Sequence, residues 1–239
     1  MNSKTYLLIG LIIIALAAYA WFRQSNNQPP ASQYANEPSN NSESTSMIEP
    51  TIENNNQPPD DGLYKIPENS LINWAGSKTL IIGYKDTGSL NLKNGQLTVQ
   101  DGQINSGSFT FDMSSLKAAS TGRGGGESSL EKHLKSADWF DVEKYPEAEF
   151  NLKSAVADSE LNSTYQITGD LTIKNITKPI SFSAVVTNND GQLKLMADIK
   201  LDRTLWDIRY GSDKFFDNLA NNVIDDIFTV TLNLTAAKQ

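Results

Sequence analysis

Cysteine is absent from the 239 residues. That excludes a disulfide framework, a thiolate metal site and a cysteine nucleophile. It also excludes the lipidated cysteine that anchors bacterial lipoproteins. Histidine occurs once, as His133. A metal site would have to be built from carboxylates, and no loop has the spacing of a calcium site, so no metal and no cofactor is expected. Basic clusters are missing as well: 20 Lys and Arg stand against 28 Asp and Glu, for a net charge of −8. Such a chain is a poor nucleic-acid binder, because phosphate neutralisation supplies most of that affinity. Anionic lipid does not draw it electrostatically either. No nucleophile elbow is present, and a serine triad would have to recruit His133, so no enzyme and no catalytic residue is expected.

Long apolar runs are scarce too. The exception is Tyr6 to Phe22, which follows Lys4. At 1.5 Å per residue it spans roughly 25 Å, just short of a hydrocarbon core of about 30 Å. Residues 1–23 read as an N-terminal membrane anchor with Tyr19, Trp21 and Arg23 at its interface. The alternative is a signal peptide cut after Ala18-Tyr19-Ala20. On both readings the remainder is exported, tethered to the membrane in one case and released from it in the other. Residues 24–62 are rich in Asn, Pro, Gln, Ser and Glu. They cannot bury enough apolar surface to offset their ordering entropy, and they read as a disordered linker reaching roughly 35 Å. Residues 63–239 remain for one folded domain.

Within that domain the dominant hydrophobic period is two. Ile72 and Trp74, Leu90 and Leu92, Phe109 and Phe111, and Phe150 and Leu152 are spaced as strands. So are Ile167 to Ile173, Ile180 to Val186, Leu193 to Leu201 and Phe228 to Leu234. Asn94-Gly95, Asp101-Gly102 and Asn189-Asp190-Gly191 read as hairpin turns. About eight strands with one apolar face each predict an all-β antiparallel barrel or sandwich. One helix interrupts them. Ser128 and Glu131 form a capping box, Leu130, His133, Leu134 and Ala137 give its apolar stripe, and it should end by Asp138. Trp139 and Phe140 follow, so this segment is expected to lie across the barrel. A closed eight-stranded barrel has room for side chains and one small ligand. Periodicity does not distinguish a filled core from a cavity.

Three segments, HLKSADWFDVEKYPEAEF, GDLTIKNITKPISF and LDRTLWDIRYGSDKFFDNL, closely resemble the YceI-like family. The matching positions are His133-Leu134, Ser136 to Phe140, Tyr145-Pro146 and Phe150 in the helix motif. Gly169 to Thr172 and Thr177 to Pro179 match a central hairpin. Arg203, Trp206, Ile208, Tyr210 and Gly211 match the penultimate strand. Asp86 departs from the pattern, standing where such members often carry histidine, and this puts head-group preference in doubt. The resemblance implies an exported bacterial protein with an eight-stranded lipocalin-like barrel. It also implies a polyisoprenoid or another long lipid as ligand, bound without catalysis.

On that footing the ligand-lining candidates are Trp74, Leu90, Leu92, Phe109, Phe111, His133, Leu134, Trp139, Phe140, Phe150, Leu171, Phe182 and Trp206. Arg123, in the glycine-rich run before the helix, is the candidate for a head group. His133 otherwise reads as a half-buried helix residue hydrogen-bonded to a neighbour. Arg203, Arg209, Asp202, Asp207 and the pair Asp225-Asp226 read as exposed strand charges in ordinary surface pairs. The expected function is a membrane-tethered periplasmic carrier of a long apolar molecule. The rival is an envelope interaction module with a solid core. Whether the protein forms a homodimer is left open.

Overall fold

The alternating apolar positions resolve into nine strands and one α-helix in a computed structural model that describes residues 58–239 apart from 162 and 190. The expected anchor and all of the expected linker before residue 58 lie outside the described residues. The strands are β1 (Gly62–Ile66), β2 (Leu71–Ser77), β3 (Lys85–Gln100), β4 (Gln103–Ser120) and β5 (Glu147–Ala157). They continue with β6 (Thr164–Ile173), β7 (Ile176–Asn189), β8 (Gln192–Asp202) and β9 (Ile227–Lys238). Helix α1 (Glu127–Lys135) lies between β4 and β5. Among the described residues no helix is long and apolar enough to cross a membrane.

Every strand pairs antiparallel with its neighbours, and β3 and β9 are bridged by β1 and β2 together. These two short strands form a single stave, broken where Pro67 has no N–H to offer and Asn69 takes φ 62°. The break is itself satisfied: Asn69 N–H donates to the Leu92 carbonyl at 2.8 Å, and Leu92 N–H donates to Ser70 at 2.9 Å. The result is a closed up-and-down barrel of eight staves. Closure leaves no exposed sheet edge.

Two local expectations are corrected. Asn94-Gly95 is not a turn but lies inside the 16-residue strand β3. A Cβ at Gly95 would stand 2.6 Å from a Leu92 methyl and 3.2 Å from Ile66, so close packing requires this glycine. The register shift between Leu92 and Asn94 is a β-bulge that moves the inward set from Leu90 and Leu92 to Leu97 and Val99. The actual turn is Asp101-Gly102, with φ 54° and 68°, both left-handed as a two-residue hairpin requires. The helix start also differs. Gly126 is the N-cap, with no side-chain cap bond. Glu131 does not reach back to Ser128, because Lys117 and Lys135 hold its carboxylate at 3.0 and 3.1 Å.

The two ends of the barrel are unlike. At one end Tyr64, Leu92, Leu97, Leu193 and Ala236 form a solid plug. Pro58 to Asp61, assigned to the linker by composition, pack on this end. Pro59 is buried, the Tyr64 hydroxyl donates to the Asp60 carbonyl at 2.8 Å, and Asn188 donates to the Pro58 carbonyl at 3.2 Å. At the other end lie the β2–β3 loop, the glycine-rich loop with α1, and the long β8–β9 connection. That connection opens with a 3-10 turn, Arg203–Trp206, so the expected penultimate-strand motif lies beyond β8 rather than in it.

Candidate ligand-binding cavity

Inward-facing side chains from every strand except β1 enclose a cavity of about 580 Å³, within the range of small-molecule ligand sites. Its floor is made by Leu97, Ile104, Val186 and Leu234 above the plug. Its walls carry Trp74, Leu90, Phe109, Phe111, Phe150, Leu171 and Phe182, and α1 with the turn after it adds His133, Leu134, Trp139 and Phe140. The interior is therefore hollow and apolar. Phe109 and Phe182 flank Phe150 with ring centroids 6.1 and 5.8 Å away, giving one continuous aromatic face.

Two candidates lie elsewhere. Leu92 faces inward but is fully buried in the plug, packed with Tyr64, Leu97, Leu193 and Ala236 below the cavity. Trp206 is fully buried beneath the 3-10 turn, where its Nε1–H donates to the Leu171 carbonyl at 3.1 Å. The chain has left the sheet at Asp202, so strand alternation no longer directs that ring. Sequence reasoning also passed over aliphatic lining residues such as Met113, Ile199, Leu201 and Val230. Alternation marks these positions as inward-facing but does not separate lining from core. Tyr84 and Tyr210 reach the lining from loops, where no periodicity marks them.

Polar groups gather at the mouth. The His133 ring stands edge-on to Tyr210 at 4.5 Å and to Trp139 at 6.1 Å. Arg203 is 2 % exposed, which corrects the expectation of a surface charge. Its guanidinium donates to the carbonyls of Asp225, Ile208 and Ile224 at 3.0, 2.9 and 3.0 Å and lies 3.4 Å from the Asp226 carboxylate. Burial lowers its pKa while Asp226 opposes the shift, and arginine remains charged. Asp225 likewise is no free carboxylate, since the hydroxyls of Ser77 and Thr79 donate to it. Arg209 and Asp207 do form an exposed pair, at 2.6 Å.

Arg123 is exposed on the rim of the cavity. Its loop is closed by a Thr121 hydroxyl bond to the Gly125 carbonyl at 2.7 Å, and Gly122 N–H donates to the Asp86 carboxylate at 2.9 Å. Asp86 thus lines the mouth and pins the glycine-rich loop to β3.

The sequence model of the YceI-like domain matches residues 64–236. A UPF0312 protein of Pseudomonas putida strain W619 is 39 % identical over 95 residues, covering 36 % of this chain and 47 % of that protein. A UPF0312 protein of Photorhabdus laumondii is 39 % identical over 87 residues, covering 33 % and 43 %. The chain thus spans just under half the length of these relatives. Among solved structures, Burkholderia cenocepacia BcnA aligns with TM-score 0.56 and 18 % identity, over 70 % of this chain and 96 % of that one. A polyisoprenoid binding domain from Saccharophagus degradans, implicated in plant cell wall breakdown, aligns with TM-score 0.54 and 12 % identity, over 74 % and 98 %. At such identities the structural likeness speaks for the barrel alone. With a match running from β1 to β9, the chain belongs to the YceI-like domain family.

Proposed function

We propose that this protein binds and carries a long apolar molecule, a polyisoprenoid or similar lipid, with its chain inside the barrel and any head group at the mouth. The observation that supports this best is the apolar cavity of about 580 Å³, plugged at one end and reaching polar groups at the other. Each methylene moved from water into such a lining contributes about 0.8 kcal/mol. The driving force has no direction, so related lipids of matching length should compete. The polyisoprenoid binding domain of Saccharophagus degradans has the same barrel architecture, which fits this ligand class. Binding without turnover is the proposed mode of action.

The place of action we propose is the cell envelope, with residues 6–22 as an inner-membrane anchor. Fractionation and N-terminal sequencing of the mature protein test this directly. Recovery of the intact N-terminus in membranes supports the anchor, and a soluble chain beginning after Ala20 replaces it with a cleaved signal. The carrier reading is tested by solvent extraction and native mass spectrometry of the purified protein. A co-purifying lipid is expected. A protein that is empty as purified and takes up no added polyprenol or fatty acid would leave the rival interaction-module reading in its place.

A further inference from the structure

Exposed apolar side chains collect around the cavity mouth. In the β2–β3 loop, Leu80 is 58 % exposed and Ile82 fully so, while Lys78 and Tyr84 of the same loop line the cavity. In the β8–β9 connection, Phe215 and Phe216 are 44 % and 48 % exposed, while Tyr210 and Asn222 line the cavity. The two loops are tied together: Asp225 accepts from Ser77 and Thr79, and its N–H donates to the Ser77 carbonyl at 3.0 Å. Leu80, Ile82, Phe215 and Phe216 take no part in either core cluster or in the lining. Packing therefore does not account for them, and a grouped set of exposed apolar residues marks a contact surface.

We propose that this rim seats on a lipid bilayer, with Leu80, Ile82, Phe215 and Phe216 among the lipid chains and the cavity mouth facing the hydrocarbon. The inference rests on the carrier reading. A long apolar ligand is almost absent from water, so it has to enter from a lipid phase. The plugged end closes the alternative route. Of the rim's cations, Arg209 pairs with Asp207 and lies 4.8 Å over the Phe215 ring, and Lys214 pairs with Asp202 and Asp226. Lys78 lies 5.1 Å over the Tyr84 ring and Arg123 is exposed, so the salt dependence of binding separates apolar seating from charge attraction. The chain enters the barrel at the plugged end, through Pro58. From residue 24 to 57 a linker can extend to roughly 110 Å, well beyond the roughly 50 Å length of a 16-residue strand. A membrane-anchored copy can thus turn its rim to the same membrane.

The absence of cysteine makes the test direct. Ile82→Cys, Phe216→Cys and, at the plugged end, Leu161→Cys are each labelled with an NBD fluorophore in the full chain and reconstituted into phosphatidylcholine vesicles. Blue-shifted, brighter emission is expected at 82 and 216 and not at 161, and it should persist in 0.5 M salt, as apolar insertion unlike charge attraction does (about 4 Å Debye length at that ionic strength). No shift at 82 and 216, or equal shifts at all three sites, overturns the proposal. So does a shift that appears only after a soluble protein fraction is added, which would assign the rim to a protein partner. As a second measurement, Ile82→Ser/Phe216→Ser should slow transfer of a fluorescent polyprenol between vesicles about tenfold while its affinity in detergent stays unchanged. An unaltered transfer rate overturns the rim. Failure of the native protein to bind the polyprenol overturns the carrier reading instead, and the NBD shifts then decide the rim by themselves.

Discussion

The Arg203 guanidinium lies 5.0 Å from the centre of the Trp139 ring, joining the β8–β9 connection to the turn that follows α1. Trp139 in turn lines the cavity. A buried charge with three carbonyl acceptors and a carboxylate therefore holds one wall of the mouth in place.

Removing that charge should be costly. Arg203→Met leaves the largely buried Asp226 with Lys214 as its remaining partner and strands three carbonyl groups, a loss on the order of 3–5 kcal/mol. Arg203→Lys keeps the charge but cannot reproduce the planar fork, so it should restore only part of the loss. Urea unfolding midpoints check the order: native above Lys, Lys above Met. Ligand dissociation should quicken in both variants.

Ala184 is buried among the cavity walls. Ala184→Trp should place an indole in the lumen and abolish binding of a long lipid while the barrel still forms. Titration with a fluorescent polyprenol or fatty acid, alongside circular dichroism, separates the two effects. Unchanged affinity would show that the ligand binds elsewhere.

Trp206 gives the opposite expectation. Trp206→Phe removes the donor to the Leu171 carbonyl, a hydrogen bond worth about 0.5–1.5 kcal/mol. Stability should fall with ligand affinity nearly unchanged, because Trp206 is behind the lining. Thermal unfolding with and without ligand checks this.

Acid should weaken the fold through carboxylates held below their usual range, Asp202, Glu131 and Asp61, the last by the backbone N–H groups of Gly102 and Asp101. Burial pushes Asp202 up, but hydrogen bonds from Thr204 and Lys214 outweigh it and hold the group below its usual range. Hydrogen bonds from Lys117 and Lys135 hold Glu131 below its range. A depressed folded pKa contributes stability above the unfolded value, and that contribution is lost as pH falls through the folded one. Stability should therefore decline from about pH 4 downward, and less steeply in Asp202→Asn. Unfolding midpoints across that range are the measurement.

The barrel was legible because its signal is local and redundant. Alternation recurs in strand after strand, so misreading Asn94-Gly95 as a turn did not disturb the architecture. The error itself has a tertiary cause. The same dipeptide that suits a hairpin also suits a bulge, and only the contact of Gly95 with Leu92 and Ile66 selects the second. The capping box failed similarly: Glu131 had partners available on β4 and one turn further along α1, and it took those. The sequence marks the polarity of Arg203 and not its depth, so its burial is set only by the tertiary fold.

By itself the amino-acid sequence determined that alternating strands build the domain and where a single amphipathic helix interrupts them, since 2.0 and 3.6 residue periods are properties of the backbone. Whether those apolar faces meet as a solid core or stand apart around a cavity was decided only in three dimensions. That outcome depends on how eight staves close, and on which end is plugged. It also depends on loops such as 78–84 and 203–226, whose side chains follow no period.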